Sequence, residues 1–334
     1  MNPIIIVACQ RLVITATLMT LSGCYYMQAA RGQLEINRKR ESIEEVVAAA
    51  ATSPQLVSQL NLVTVARQFS IDELSLPDND SYRSYADLQR DYVVWNIVAA
   101  PEFSLRPKTW CYPIVGCVSY RGYFSEDKAQ SEAQQLRDEG FDVAFGGVAA
   151  YSTLGRFSDP ILNTMMRWGD EDLVAVMFHE LAHQVLYVKD KTEFNESFAT
   201  AVEEIGMERW LESRDQPEVL STWRARRELR AAFSEHVALV RDDLTAIYNA
   251  ELEPGQMRLQ KQARLELFAK TAHQLYADAN NPAPYWLDNE LNNARLVSTT
   301  LYHGRLQEFR KLLDDCDGDL PCFYSAATRL AEST

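Results

Sequence analysis

Residues 179–183 read His-Glu-Leu-Ala-His, an H-E-x-x-H pattern, and it sits inside an apolar segment. Leu173, Val174, Val176, Met177, Phe178, Leu181, Val185 and Leu186 make this segment apolar on nearly every side. Residues i and i+4 share one face of a helix, so His179 and His183 can reach one ion together. Two imidazoles and a carboxylate within such a helix are costly to bury unless something binds them. The pattern therefore predicts a helix opening at Asp170-Glu171-Asp172, packed into a core and carrying one Zn2+ per chain. Glu180 follows the first ligand and is placed to take a proton from metal-bound water and pass it to a leaving amine.

A catalytic zinc takes three protein ligands and keeps one position open. Two carboxylates qualify as the third. Twelve residues separate Glu196 from His183, and Glu203 lies two helical turns further on the same face. One would bind the metal and the other would orient a ligating His from behind. Asp190 and Glu193 fall in the connecting turn.

The rest of the chain reads as α+β. Helical periodicity covers Gln28 to about Ala51, and Ser53-Pro54 starts a helix running to about Phe69. Leu76 to Ser81 is a turn-rich linker. Tyr92 to Val98 reads as a buried strand. Pro107 to Phe124 is an irregular or hairpin segment. A helix starting after Ser125 stops at Gly140, the strand Phe141 to Phe145 follows, and Gly146-Gly147 leads into a further extended run, Val148 to Phe157. From Thr192 onward the sequence is almost wholly helical, with breaks at Pro217, Pro254-Gly255, Asn280 to Pro284, Gly304 and Gly318. The expected architecture is one small mixed sheet followed by a mainly helical half. The segments are 1–23, a signal peptide; 24–75, a helical segment; 76–215, the sheet and metal-site helices; and 216–334, a helical region completing the cleft. His236 and His273 sit in charged helices and read as structural.

Composition narrows the partners. The net charge of −14 repels phosphate backbones, which argues against nucleic acid. There is no G-x-G-x-x-G and no G-x-x-x-x-G-K-[ST], so no nucleotide is expected. The first 23 residues carry a single charge, Arg11, and their last three, Leu21-Ser22-Gly23, run into Cys24. That is a lipobox pattern. The apolar runs flanking Arg11 are too short for a membrane span. Lipid on Cys24 would attach the chain to a membrane in the cell envelope, on the periplasmic face. Tyr25 in place of Asp after the Cys favours an outer membrane. Cys111 and Cys117, and Cys316 and Cys322, are each separated by five residues. In an oxidising compartment two local disulfides are the simplest of the three possible connectivities.

His179 to Gln184 (HELAHQ) with Asn195 to Gly206 (NESFATAVEEIG) resembles the core of the gluzincin aminopeptidases. More of the chain resembles a group of bacterial proteins described as predicted aminopeptidase lipoproteins. That likeness rests on Thr109 to Cys117, Tyr120 to Phe124, Ala150 to Gly155, Asn292 to Leu296, and Tyr302-His303. The resemblance implies a gluzincin-like zinc peptidase fold and a peptide substrate. It makes His179, His183 and Glu196 the zinc ligands, Glu180 the general base, and Tyr302 or His303 the donor to the developing oxyanion, with Tyr151 and Tyr285 as rivals. Glu196 is preferred because Asn195, Phe198 and Ala199 match around it. The large gluzincin aminopeptidases have several more residues before their ligand Glu, and that spacing points to the 202–203 region and keeps Glu203 open. Their upstream G-x-M-E-N segment holds the substrate amine. Gly146 to Ala150 stands in its place without an acid. This stretch and the edge Ala150, Tyr151, Ser152 and Thr153 can still bind a peptide by strand addition. Aminopeptidase activity is thus implied by the resemblance. The alternatives are a zinc endopeptidase and a non-catalytic metal-binding envelope protein.

Overall fold

A computed structural model of the protein describes residues 25–112, 116–300 and 305–333. Helix α1 covers 25–38. Strand β1 (Arg40–Ser42) and helix α2 (Ile43–Ala48) follow, then α3 (Pro54–Asp72). The helical periodicity read from Gln28 to Ala51 is therefore interrupted. β1 pairs antiparallel with β2 (Ser84–Ala86), and this long-range pairing overrides local helix propensity. Ser42 and Ser53 cap α2 and α3 through their hydroxyls, and Pro54 opens α3.

The strand expected at Tyr92 to Val98 is β3, shifted to Val94–Pro101. Strands β4 (Trp110–Tyr112) and β5 (Gly116–Val118) form a hairpin, and β6 (Arg121–Tyr123) follows. Helix α4 (Glu126–Asp138) is capped by Ser125 and ends before Gly140, whose φ of 86° is the left-handed conformation that favours glycine. β7 (Phe141–Val148) runs straight through Gly146-Gly147. Gly147 is required there because the ring of Tyr92 occupies the place a Cβ would take. The extended run expected at Val148 to Phe157 ends at Val148. Leu154 and Gly155 both have positive φ, and the chain turns back on itself. β8 (Ile161–Leu162) and a 3-10 turn (Asn163–Met165) lead to α5 (Asp170–Val185).

The strands make two three-stranded sheets and the hairpin where one sheet was expected. One sheet has the order β1-β2-β8, with β2 and β8 parallel, and the other is the antiparallel β6-β3-β7. α4 lays Ala129, Ala133 and Leu136 on the second sheet.

The helical half comprises α6 (Thr192–Ser213), α7 (Pro217–Asn249), α8 (Pro254–Asp278), α9 (Trp286–Asn289), α10 (Asn293–Thr300), α11 (Leu306–Asp315) and α12 (Leu320–Ser333). The main core joins α3, α5, α6, α11 and α12. Phe69 packs on Phe178 and Trp210, and Phe198 packs on Phe309 and Phe323. Gly206 lets α6 close on α5, since a Cβ there would meet Leu74 and Phe178 at 2.9 Å. The cysteines pair as expected. Cys111–Cys117 ties the β4–β5 hairpin, and Cys316–Cys322 ties the end of α11 to α12. Among the described residues no helix is long and apolar enough to cross a membrane.

The α7–α8 hairpin has its own core, including Phe233, Val237, Leu265 and Phe268, and it is joined to the sheet by the ion pair of Lys261 with Asp142 at 2.6 Å and through Asn293. Asn293 is fully buried. Its Nδ2 donates to the carbonyls of Pro101, Glu102 and Ser104, and its Oδ1 accepts from the hydroxyl of Tyr248. Beside it Asn292 donates to the Val143 carbonyl and Arg295 to that of Phe145. The Asn-Asn-Ala-Arg-Leu segment is thus a clasp between α10 and β7. Replacing Asn293 with Ala strands several buried polar groups, so it is expected to cost about 2–4 kcal/mol of stability. A lower denaturation midpoint with an unchanged slope is the corresponding measurement.

Candidate metal centre

α5 begins with Asp170, Glu171 and Asp172 in its first turn, which complements the positive end of the helix dipole. Its apolar faces are buried, and His179 and His183 are buried with them, at 7% and 6% exposure. Six residues separate α5 from α6, and the connection is held tightly. Asn195 accepts from the Val188 amide at 2.7 Å and donates to the Val188 carbonyl at 2.8 Å. Asp190, in left-handed backbone, accepts from the Cys117 amide and so ties this loop to the disulfide hairpin. Asp190 is thereby engaged away from the histidines, and Glu193 is exposed. The clamp lets a short connection bring α6 back with Glu196 facing α5.

Glu196 Oε2 stands 3.3 Å from His179 Nε2 and 3.7 Å from His183 Nε2. The three side chains can each offer one donor atom within 4.8 Å of the others, and all three are buried. Donors placed 2.0–2.1 Å from a tetrahedral ion lie about 3.3 Å from one another, so this set has the spacing and the chemistry of a metal site. Glu203 takes a different place. Its Oε2 is 3.2 Å from Nδ1 of His179, the opposite nitrogen of the same ring. A carboxylate there fixes the tautomer and the orientation of the imidazole. The two acids left open by the sequence are therefore separated by geometry. Glu196 touches both histidines, and Glu203 braces one of them from behind. Nδ1 of His183 is buried and has no hydrogen-bond partner among the described residues.

Electrostatics follow from this crowding. Burial pushes the Glu196 carboxyl up, but His183 and His179 outweigh it and hold its pKa at about 2. Burial disfavours a charged His179, yet hydrogen bonds to Glu196 and Glu203 raise its pKa well above the ordinary imidazole value. Glu180 is raised above the usual carboxylate value, chiefly by burial, with the two histidines pulling the other way and the Ser152 hydroxyl easing the shift.

The segment Ala150 to Thr153 passes beside Glu180 but is not a strand. Its course is fixed by Asp159, a residue the sequence reading missed. Asp159 accepts from the amide and the hydroxyl of Thr153, both at 2.8 Å, and from Ser152 at 3.4 Å. Burial raises its pKa to about 6. Tyr151 packs edge-on against Phe124, and Tyr285 is 72% exposed. Tyr302, His303 and Cys24 lie outside the described residues. His236 bonds to Thr271 and His273 to Asp288, within the α7–α8 region. Also missed was the role of Leu76 to Ser81, which is more than a linker. It wraps the buried guanidinium of Arg67, and Asn79 and Ser81 hydrogen-bond Gln184, the residue after His183. The Asn and Ser there signalled a turn but not what the turn would grip.

The family described as "Putative aminopeptidase" matches residues 24–334. A search of curated proteins and of solved structures finds no match.

Proposed function

The chain belongs to the "Putative aminopeptidase" family, and from that premise we propose that it is a zinc-dependent aminopeptidase with Glu180 as its general base. The observation that carries the reading is the buried set of His179, His183 and Glu196, with Glu180 on the same helix turn. These residues would hold one zinc per chain, in the manner of the gluzincin peptidases the motif resembles. Zinc in such a site supplies Lewis acidity, lowering the pKa of water and polarising a carbonyl.

The chain's own residues do the rest. Glu180 accepts a proton from the attacking water as its oxygen bonds the peptide carbon. It then hands that proton to the amine that leaves when the C–N bond breaks. Glu203 keeps His179 in one tautomer. The outer edge of β7 offers a peptide somewhere to lie. The Val143 and Phe145 carbonyls on that edge are taken by Asn292 and Arg295, and the next residue in the alternation is Gly147. Tyr302 or His303 is the proposed oxyanion donor.

Exopeptidase character rests on the family. Asp159 faces Glu180, but it is buried and engaged with Ser152 and Thr153. We also place the chain on the periplasmic face of the cell envelope, held by lipid on Cys24. Bonded cysteine pairs suit an oxidising compartment.

The zinc-loaded protein is expected to release the N-terminal residue from aminoacyl nitroanilides and to leave N-acetylated peptides uncut. Cleavage of acetylated peptides makes it an endopeptidase. No turnover of either class with one zinc bound overturns the peptidase reading and leaves a metal-binding envelope protein.

A further inference from the structure

Tyr82 has left-handed backbone, with φ of 64°, where a bulky residue rarely sits. The fold holds it there from several sides. Its amide donates to the Asp159 carbonyl at 2.6 Å. The carbonyl of Ser81 before it accepts from the buried Arg67 guanidinium at 3.0 Å. Gln184 pins the same loop to the end of α5 through Asn79 and Ser81. The product is a phenol only 2% exposed, whose hydroxyl has no hydrogen bond of normal geometry among the described residues. Its polar neighbours are Glu180, Asp159, Ser152 and Arg67, the last a donor only.

Buried hydroxyls are ordinarily paired, and an unpaired donor needs an acceptor. Burial keeps this phenol protonated far above its ordinary range, so it acts as a donor at any working pH. Asp159 already accepts from Thr153 twice and from Ser152. Ser152 gives its proton to Asp159, and its oxygen already accepts from the Leu154 amide. The Glu180 carboxylate is a stronger acceptor for a phenol than the remaining lone pair of that hydroxyl.

We propose that the Tyr82 hydroxyl donates to the Glu180 carboxylate, directly or through one ordered water, and so positions that carboxylate. This deepens the peptidase reading, on which it rests only for what Glu180 does. Tyr82 is a positioning residue. It does not touch the metal ligands, and it opposes the burial that drives Glu180 toward its neutral form.

Two measurements test it. The first needs no substrate, and is a crystal structure of the zinc-loaded wild-type protein that shows ordered water. A Tyr82 Oη within hydrogen-bond reach of a Glu180 oxygen, or both bonded to one shared water, supports the proposal. A phenol bonded elsewhere, or with neither arrangement, overturns it. The second is Tyr82→Phe, which keeps the ring and removes one oxygen. It is expected to lower kcat about 10–100-fold with KM, zinc affinity and melting temperature nearly unchanged. Unchanged kcat in a folded Tyr82→Phe protein means the residue is structural and overturns the proposal. If wild-type protein cleaves no peptide, the peptidase reading falls, and the crystallographic contact still decides whether Tyr82 holds Glu180.

Discussion

Glu196→Ala is expected to abolish stoichiometric zinc binding, whereas Glu203→Ala weakens it by about 10–100-fold. The difference follows from which nitrogen each acid meets. Glu196 Oε2 approaches Nε2 of both histidines, so its loss leaves two ligands where a catalytic zinc needs three. Glu203 meets Nδ1 of His179 and would act on the metal only through that ring. Its removal frees the ring to rotate and lowers its basicity, which costs affinity without removing a ligand. Zinc per chain by elemental analysis and affinity by chelator competition report both. The reverse order, with Glu203→Ala empty and Glu196→Ala loaded, transfers the ligand role to Glu203.

That pair also marks how far a sequence can be read here. Glu196 and Glu203 are seven residues apart and share one helix face, and periodicity does not distinguish residues on one face. Only the packing of α6 against α5, with the Asn195 clamp and the close approach at Gly206, decides which acid reaches the two histidines. The helix carrying His179 and His183 was itself legible, because apolar residues on nearly every side of the two imidazoles and the acids of its first turn mark a buried helix opening at Asp170. The helix starts at Ser53 and Ser125 and both disulfides were legible for similar reasons, as local chemistry within a few residues.

What escaped was long-range and small. β1, β2 and β8 contribute two or three paired residues each, from segments distant in the chain, and none is long enough to show alternation. β7 was cut short at Gly146-Gly147 because glycine usually marks a break, whereas here Gly147 makes room for Tyr92. The left-handed backbone at Tyr82 carries no sequence signal, since that conformation is expected of Gly or Asn. It is imposed by Arg67 and Asp159, and their roles exist only in the folded chain.

Glu180→Gln is expected to keep one zinc per chain and to lose peptide hydrolysis by about 10²–10⁴-fold, the span ordinarily lost with a general base. The substitution preserves the shape of the side chain and can still accept a hydrogen bond from a hydroxyl beside it. What it removes is the capacity to take up a proton. That capacity is tuned by the site, because burial raises the Glu180 pKa above the usual carboxylate value and makes the ionised form a stronger base. The histidines and Ser152 pull in the other direction and temper that rise. A variant with intact zinc and absent turnover therefore isolates proton transfer from metal binding, which the ligand substitutions do not. Steady-state kinetics beside elemental analysis on the same preparation make the comparison. Zinc-loaded Glu180→Gln protein that hydrolyses at the wild-type rate assigns the proton to another group and removes Glu180 from the mechanism.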